Sequence, residues 1–350
     1  MKLTDFDFDL PKNLIAQVPT ENRDMSRLMV VERKTGNIHH DIFSRLTQYI
    51  TAHPLMVFNN TRVNPARLFG TKKGTPRSME LLLIRETEPR IWESLIRGLS
   101  HLKPGDEILF GNGRLKAEFL ERTNERGIIR LSGSGDLKLL LSEEARMPLP
   151  PYIHRDSKEN NTLEPLDRER YQTIYAKNSG SIAAPTAGLH FTQDMFDRIE
   201  AGVADTAHLT LHVGVGTFQP IRHEDITQHK MAKEYYMVPP ETTQNLKKAK
   251  LEEGRKILAV GTTSTRVLES LDMDKIPNQS PISGWTDKFI YPGYQFHAVQ
   301  EMLTNFHLPK STLYLLVCAF AGKEMMEKAY REAIRQKYRF FSYGDAMLIL

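Results

Sequence analysis

The pattern of hydrophobic and polar positions at the start of the chain indicates a mixed α/β segment. Leu28–Glu32 and Asn37–His40 flank a Lys-Thr-Gly turn and predict a β-hairpin. Asp41–Ile50 places hydrophobic residues on one helical face and predicts a helix. Leu55–Phe58 is a short, continuous hydrophobic run, which predicts a buried strand.

A β-rich segment follows, in which short runs of β-favouring residues are separated by turns that contain Gly, Pro and Asp. The predicted strands are Ala66–Lys72, Met79–Glu86, Ile91–Ile96, Glu107–Phe110, Leu115–Arg122 and Gly127–Leu131. A spacing of roughly 8–12 residues between strands is typical of a small antiparallel barrel or sandwich. We therefore predict a β-domain inserted in the chain.

The α/β pattern returns after the extended, proline-rich stretch Met147–Pro151. His154–Arg170 is polar and predicts a loop. Strands are predicted at Ser181–Ala184, Ala207–Val213 and Lys256–Val260, and helices at Gln193–Ala201, Glu241–Glu253, Thr265–Leu271 and Lys323–Gln336. Thr192 is the predicted cap of the first of these helices and Gly202 its end.

Composition excludes several classes of protein. The 350 residues suffice for about two domains, and the longest hydrophobic run, Leu313–Ala321, is too short to span a bilayer. Cys318 is the single cysteine, so internal disulfides, Cys-rich zinc sites and Cys-ligated iron–sulfur clusters are excluded. Its hydrophobic surroundings predict a small core residue, and the cysteine content agrees with a reducing cytoplasm.

The net charge of +4 lies in one part of the chain. Residues 62–146 carry 16 Lys and Arg against 12 Asp and Glu, an excess equal to that of the whole chain. A mild positive excess of this size is compatible with contact to one nucleic-acid element.

The first cluster of candidate chemistry is Ala183–Phe191, between a predicted strand and a predicted helix. It offers free backbone N–H groups, the hydroxyl of Thr186, the glycine Gly188 and the imidazole of His190 to a polar ligand. A Pro/Gly turn with a helix-capping histidine is the alternative, and the local sequence alone favours it.

The second cluster, Leu211–Phe218, contains His212, Gly214, Gly216 and Thr217. A dinucleotide fingerprint needs a third glycine and a helix directly afterwards, and Gln-Pro follows instead. The glycines would rather allow a ligand or another backbone to approach closely. His208 and His212 share one strand face, but no further ligand has metal-motif spacing, so no metal site is predicted.

The third cluster is the hydroxyl-rich turn Val260–Arg266, in which Thr262 and Thr263 precede Arg266 by about one helical turn. Hydroxyls and N–H groups there suit a carboxylate, a phosphate or a ribose hydroxyl, while simple N-capping is the alternative. No Gly-Lys-Ser/Thr sequence follows, so this is not a Walker loop.

Two further clusters lie towards the C-terminus. Leu303–Lys310 combines Asn305, Phe306 and His307 with Lys310, and stacking rings with amides are groups that recognise nucleobases. A core phenylalanine with a surface lysine is the alternative. The aromatic segment Tyr338–Asp345 suggests buried packing, in which an unpaired Asp345 would be energetically costly.

Motifs along nearly the whole chain resemble, in order, those of one family, the S-adenosylmethionine:tRNA ribosyltransferase-isomerases of queuosine biosynthesis. The stretches that carry the resemblance, besides the four strand-end clusters, are Asp5–Pro11, Arg23–Leu28, Phe58–Val63, Pro148–Ile153, Arg170–Thr173 and Tyr343–Met347. Several long motifs in the same order are far more specific than any one of them.

The resemblance implies an α/β catalytic domain, 1–61 and 147–350, that carries a six-stranded antiparallel β-barrel at 62–146. It implies transfer and isomerisation of the ribosyl part of S-adenosylmethionine onto 7-aminomethyl-7-deazaguanine at the tRNA wobble position. The product is epoxyqueuosine, and adenine and methionine are released. S-adenosylmethionine is then a consumed substrate, no other cofactor is expected, and the partner is the tRNA anticodon arm. We expect a cytoplasmic monomer without membrane association.

Polar groups within the family motifs are the expected site. His190, His307 and Asp345 are the expected proton-transfer residues, and Arg62 and Lys310 are expected to contact RNA phosphates. The expected substrate-binding residues are Thr186, Gly188, His212, Gly214, Gly216, Thr217, Thr262, Thr263, Arg266, Asn305 and Phe306.

Two positions depart from the family pattern, which usually has Asp at Asn60 and often His at Ala232. Either both lie outside the chemistry or the activity is altered. Two other functions are weighed against the ribosyl transfer. A methyltransferase would need a glycine-rich strand-to-helix turn that Gly214–Thr217 does not provide, and a non-catalytic RNA-binding barrel would leave the polar clusters without a purpose.

Overall fold

The computed structural model describes residues 1–155, 162–214, 216 and 221–350. By contacts, the chain forms two compact units. One contains Met1–Arg62, Pro151–His154 and Gln172–Leu350, and the other Val63–Pro150 and Arg155–Tyr171. The predicted domain boundaries differ from this grouping at residue 62, at 147–150 and at 155–171. In the last of these segments, Arg155 pairs with Asp167, and Arg168 donates to the carbonyl of Ala145.

The strands and helices of the described residues are numbered in chain order. The strands are β1 (Arg27–Val31), β2 (Ile38–Ile42), β3 (Leu55–Asn59), β4 (Thr61–Val63), β5 (Arg67–Lys72), β6 (Ser78–Glu88), β7 (Ile91–Arg97), β8 (Glu107–Phe110), β9 (Leu115–Thr123), β10 (Arg126–Gly133), β11 (Asn178–Ser181), β12 (Asp205–Leu211), β13 (Glu234–Val238), β14 (Ile257–Val260), β15 (Ile282–Thr286), β16 (Glu301–Asn305) and β17 (Ala346–Ile349). The α-helices are α1 (Leu137–Glu144), α2 (Glu164–Arg170), α3 (Gln193–Arg198), α4 (Pro240–Leu251), α5 (Thr262–Leu268), α6 (Thr312–Ala321) and α7 (Lys323–Arg335).

The first unit is built on a nine-stranded sheet of order β15-β13-β12-β3-β14-β16-β17-β1-β2. Strands β12, β3, β14 and β16 run parallel, and β17 runs antiparallel to β16. Alternate residues of β3 enter two different cores: Leu55 and Val57 join one cluster, Met56 and Phe58 the other. The predicted buried strand is thus confirmed, and burial on both faces explains its continuous hydrophobic run.

The second unit contains a closed barrel of order β10-β7-β6-β5-β8-β9, with every neighbouring pair antiparallel. Alternating residues such as Leu81, Leu83, Ala117 and Phe119 fill the interior. The predicted fold class, a mixed α/β domain with an inserted six-stranded antiparallel β-barrel, is confirmed.

Three local predictions are wrong. The predicted strand Ser181–Ala184 shares only Ser181 with β11, and residues 182–184 lie outside any strand. Residues 38–42 pair with β1, and the chain continues as a 3₁₀ helix at Phe43–Gln48 rather than as an α-helix. Asp41 and Ile42, the first two residues of the predicted helix, instead belong to β2 and pair with β1. The predicted loop His154–Arg170 contains α2, in which the buried carboxylate of Asp167 accepts a hydrogen bond from Nε of Arg155 at 2.7 Å. Positions 156–161 of that loop lie outside the described residues.

The C-terminal helices show what hydrophobic spacing can and cannot reveal. Helix α7 buries Met326, Tyr330 and Ala333 on one face, as predicted. Helix α6 was not predicted, because its residues are hydrophobic on nearly all sides and give no periodic signal. Cys318 lies in α6 and is buried, as predicted, and burial raises the pKa of its thiol to about 12.

Candidate functional site

A pocket of about 510 Å³ lies in the first unit, beyond the carboxyl ends of β12, β14 and β16. Ligands of open α/β sheets bind at this edge, because loops from neighbouring strands converge there. Its polar lining residues are Tyr152, Thr186, Thr262, Thr263, Thr304, Asn305, His307, Lys310, Ser311 and Ser342. Six of the expected site residues are among them: Thr186, Thr262, Thr263, Asn305, His307 and Lys310.

The turn from β14 into α5 presents two of these threonines. Gly261 stands between strand and helix with φ of +90°, a conformation that side chains rarely adopt, so glycine is required there. Its N–H donates to the carbonyl of Leu303 in β16. This bond holds the turn against the neighbouring strand, and Thr262 and Thr263 line the pocket directly after it.

Asn305 ends β16 and is held from one side. Its Nδ2 donates to the main-chain carbonyl of Asp345, at 3.4 Å, and contacts Nε2 of His190 at 3.0 Å. The Asn305 side chain is buried, and its Oδ1 has no hydrogen-bond partner in the protein. Oγ1 of Thr263 is likewise buried without a partner. Other buried side-chain atoms in the described part of the chain, such as Nη2 of Arg266, also lack a partner, but Asn305 and Thr263 belong to the pocket lining and are therefore the candidates to bind a ligand there.

His190 does not line the pocket. It is buried behind Asn305, where Nδ1 lies 2.8 Å from Oγ of Ser26 and the ring packs against Phe43 at 5.0 Å between centroids. The histidine therefore reaches the pocket through the amide of Asn305, which makes direct proton transfer to a ligand in this pocket geometrically unfavourable.

His307 does line the pocket. Its Nε2 lies 2.8 Å from Oγ1 of Thr304, and its backbone N–H donates to the hydroxyl of Tyr330. Burial lowers the pKa of His307 to about 3, because a charged imidazolium would lose its hydration. The ring is consequently neutral at physiological pH, and the same burial makes it a weaker base than a solvent-exposed histidine.

An aromatic wall closes another side of the pocket. The rings of Tyr152 and Phe341 have centroids 3.8 Å apart, and the Tyr152 hydroxyl is hydrogen-bonded to Oγ of Ser342. Phe341 has φ of +75°, which a side-chain-bearing residue adopts only under constraint. Backbone bonds from Phe341 N–H to Phe306 and from Gly344 N–H to Phe341 supply this constraint.

Asp345 is buried but fully engaged elsewhere. Its carboxylate accepts the backbone N–H of Arg27 at 3.0 Å and of Arg339 at 2.7 Å, and it pairs with the Arg27 guanidinium at 3.3 Å. It does not line the pocket. These bonds join the C-terminal turn to the start of β1, so the geometry supports an anchoring role more than the expected proton transfer.

Arg266 and Gly214 belong to a second buried cluster. Arg266 forms an ion pair with Glu234, both residues being 3% exposed, and its Nε donates to the carbonyl of Lys288 at 3.1 Å. Gly214 N–H donates to Oε1 of the same glutamate at 2.8 Å. Neither residue lines the pocket, and the cluster cross-links α5, β13 and the end of β12.

Other expected substrate-binding residues lie in packing positions. Phe306 is fully buried among Tyr330, Tyr338 and Phe340. A Cβ on Gly188 would stand 1.9 Å from the Tyr175 hydroxyl, so this glycine admits the tyrosine.

The remaining expected residues belong to the second strand-end cluster. His212 bonds Thr61 at 2.9 Å and lies over Gly180. Gly216 is buried, and a Cβ added at this position would lie 2.8 Å from the Cβ of Ala232. Thr217 lies outside the described residues.

The two expected RNA contacts are both available at the surface. Arg62 is exposed, with Nη2 donating to the carbonyl of Ala176. Lys310, at the pocket, forms a half-exposed pair with Asp7 at 2.5 Å. An exposed pair of this kind is weak, so a phosphate could replace the aspartate.

The two departures from the family pattern do not line the pocket. Asn60 Oδ1 accepts from the Thr210 hydroxyl at 2.7 Å and from Asn178 Nδ2 at 3.3 Å, bonds that a carboxylate could also accept. Ala232 is exposed. The placement favours the interpretation that both residues lie outside the chemistry.

Among the described residues, no group of three or more His, Cys, Asp or Glu side chains could hold a metal ion. No helix in this part of the chain is long and apolar enough to cross a bilayer.

Sequence reasoning missed four residues at the site. Ser26, Tyr152, Phe341 and Ser342 all lie in motifs that carry the family resemblance or in the aromatic C-terminal segment, yet none was singled out. The signal was present for Tyr152, an aromatic residue directly after two prolines. For Ser26 there was none, because its role depends on the distant His190.

Comparisons with known proteins cover the whole chain. A family model described as "Queuosine biosynthesis protein" matches residues 3–349. S-adenosylmethionine:tRNA ribosyltransferase-isomerases from Caldanaerobacter subterraneus subsp. tengcongensis and Clostridioides difficile are 49% and 47% identical, each over 100% of both chains. A crystal structure of an S-adenosylmethionine tRNA ribosyltransferase from Thermotoga maritima is 36% identical, with a TM-score of 0.55 over 99% of this chain and 100% of that one.

A match of this length and identity, shared by the family model and by full-length relatives, establishes membership. The resemblance stated from the motifs is confirmed, as is the prediction of a transferase. The chain belongs to the queuosine biosynthesis family of S-adenosylmethionine:tRNA ribosyltransferase-isomerases.

Proposed function

We propose that the chain transfers and isomerises the ribosyl moiety of S-adenosylmethionine onto 7-aminomethyl-7-deazaguanine at the tRNA wobble position. The products are epoxyqueuosine in the tRNA, adenine and methionine. The names of the full-length relatives support the two substrates. The observation that carries the proposal is the pocket itself, with the unpaired Oδ1 of Asn305 and Oγ1 of Thr263 beside it.

The composition of the pocket suits a nucleoside with a sulfonium substituent. Its described lining is largely apolar, and no carboxylate is among those residues. The rings of Tyr152 and Phe341 offer faces to a purine or to the sulfonium, since aromatic faces attract cations.

The chemistry requires a base, and the site offers a neutral one. The sulfonium acidifies the adjacent ribose carbon, so that a positioned base can remove its proton and start the rearrangement. We assign this role to His307, because it lines the pocket and burial keeps it uncharged. No resident cofactor enters the scheme, because S-adenosylmethionine is consumed.

The tRNA would be held by its phosphates, for which Arg62 and Lys310 are the assigned contacts. Both are side chains of the unit that contains the pocket. The basic excess of residues 62–146 would add sequence-independent attraction for the anticodon arm.

The proposal is tested by following the small products. The protein is incubated with S-adenosylmethionine and a tRNA that carries 7-aminomethyl-7-deazaguanine, and nucleosides and bases are separated by chromatography. Release of adenine and methionine in equal amounts, with epoxyqueuosine in the tRNA, is expected. S-adenosylhomocysteine would instead indicate methyl transfer, and tight tRNA binding without adenine would indicate a binding module.

A further inference from the structure

The orientation of the Asn305 amide can be deduced from its neighbours. The main-chain carbonyl of Asp345 can only accept, so the NH₂ group of Asn305 must face it. The second hydrogen of this NH₂ group is then directed at Nε2 of His190, 3.0 Å away. The remaining atom of the amide, Oδ1, is the one without a protein partner.

The same bonds define the tautomer of His190. Nε2 accepts a hydrogen from Asn305 and therefore carries none, which in a neutral ring places the proton on Nδ1. Nδ1 faces Oγ of Ser26 at 2.8 Å, and this hydroxyl can donate onward to the carbonyl of Arg23 at 3.5 Å. The chain of donors from Asn305 to Ser26 is thus consistent at each step.

Oγ1 of Thr263 lies in the first turn of α5, which follows the neighbouring strand β14. β14 and β16 pair in parallel, with Val260 opposite Leu303, so Thr263 and Asn305 follow the paired residues by three and two positions. Both line the pocket. Together they present an acceptor that cannot donate and a hydroxyl that can, which matches the exocyclic N–H and a ring nitrogen of adenine.

We infer that Asn305 and Thr263 recognise the adenine base of S-adenosylmethionine, and that His190 is a positioning residue that holds the Asn305 amide with its oxygen towards the ligand. This inference rests on the proposed function. A neutral amide is suited to the neutral amine of adenine, whereas the methionine ammonium would favour a carboxylate, which the described pocket lining does not contain.

The first experiment replaces the amine that Asn305 would recognise. Base release is measured with S-adenosylmethionine and with S-inosylmethionine, in which a carbonyl replaces the exocyclic amine, at saturating tRNA. The wild-type kcat/KM should favour the adenine compound by about 100-fold, because the inosine carbonyl would face another acceptor. In Asn305→Ala this preference should largely disappear, while the exposed Asn13→Ala should retain it.

The outcomes separate this inference from the proposed function. If the wild type releases no adenine from S-adenosylmethionine, the proposed function fails. If it releases adenine but uses both compounds equally, the recognition of adenine by Asn305 is wrong. A raised KM for tRNA in Asn305→Ala, with the preference for adenine intact, would contradict the inference by assigning the amide to the modified guanine. Thr263→Val should raise the KM for S-adenosylmethionine about tenfold.

The second experiment tests how His190 acts. A glutamine can place its carbonyl oxygen near the position of the histidine Nε2 and so accept from Asn305, but it cannot transfer protons. His190→Gln should therefore retain turnover within about tenfold of the wild type and the same pH profile. His190→Ala should raise the KM for S-adenosylmethionine more than it lowers kcat. If both variants lose kcat equally, His190 is an acid–base residue and the positioning role is wrong; exposed His39→Gln is the control.

Discussion

Two clusters of buried polar residues lie near the same edge of the sheet, and they differ in whether their principal polar groups pair with each other. Glu234 and Arg266 form an ion pair and also bond Gly214 and Lys288, so both buried charges are paired, although Nη2 of Arg266 has no partner. Beside the pocket, Asn305 and Thr263 each keep an atom without a partner. The paired cluster would stabilise the fold, while the unpaired atoms would bind a ligand.

The difference shows what motif reading cannot decide. All four clusters at strand ends seemed able to bind a substrate, since each carries hydroxyl, amide, imidazole or charged side chains. Hydrogen bonds and ion pairs within the protein distinguish the clusters, because a polar group that already has a partner gains little from a ligand. Variants that disrupt one cluster at a time can test this distinction.

Breaking the paired cluster should give the largest effect on stability. Arg266→Met leaves Glu234 buried without its partner, which should cost about 3–5 kcal/mol in the free energy of unfolding. Urea denaturation measures the loss. Glu234→Gln combined with Arg266→Met should recover part of it, because no buried charge remains. A single variant as stable as the wild type would show that the pair does not support the fold.

The pH dependence of stability should report the burial of His307. Its pKa is about 3 in the folded protein and about 6.5 when unfolded, so the unfolded chain binds more protons between these values. Stability therefore falls as the pH drops below 6.5, by about 2 kcal/mol per such group at pH 5. Urea denaturation at pH 7.5 and at pH 5 measures this loss of stability, and His307→Gln should lack the part that His307 contributes. An equal loss of stability in the variant and the wild type would mean that His307 is solvated.

Asp345→Asn tests the anchoring interpretation. The amide keeps one oxygen but sets its NH₂ group against backbone donors of Arg27 or Arg339, which should cost about 1–3 kcal/mol. Turnover per folded molecule should change less than tenfold. Stable protein with abolished turnover would restore the original expectation that Asp345 transfers a proton.

The smallest effect is expected at the rim of the pocket. Lys310→Gln should reduce the salt dependence of tRNA binding by about one unit of slope, as the loss of one phosphate contact would do. Asp7→Asn should raise the affinity slightly, because it frees the lysine. Equal slopes for Lys310→Gln and the exposed control Lys12→Gln would remove Lys310 from the RNA contacts.

Much of the fold was predictable because its elements obey local rules. The six barrel strands alternate, β3 is continuously hydrophobic, and Thr192 caps α3 through the N–H of Met195. The 3₁₀ helix after β2 was not predicted, since β2 continues to Ile42, two residues beyond the predicted hairpin strand, and leaves a shorter segment for the helix. At the site, Thr263, Asn305 and His307 were predictable as polar residues in apolar motifs. The placement of His190 behind Asn305 depends on Ser26, 164 residues away in the chain, and no local pattern contains it.

The most direct measurement compares stability and turnover of Asn305→Ala in one preparation. Adenine release per folded molecule is followed by chromatography, and the free energy of unfolding is taken from urea denaturation. We expect kcat/KM for S-adenosylmethionine to fall about 100-fold, while stability falls by about 1–3 kcal/mol, less than in Arg266→Met, because the variant loses the bonds of the NH₂ group to His190 and Asp345 but no bond of the unpaired oxygen. Wild-type turnover with a stability loss as large as that of Arg266→Met would contradict this expectation, since Asn305 would then belong to the fold rather than to the site.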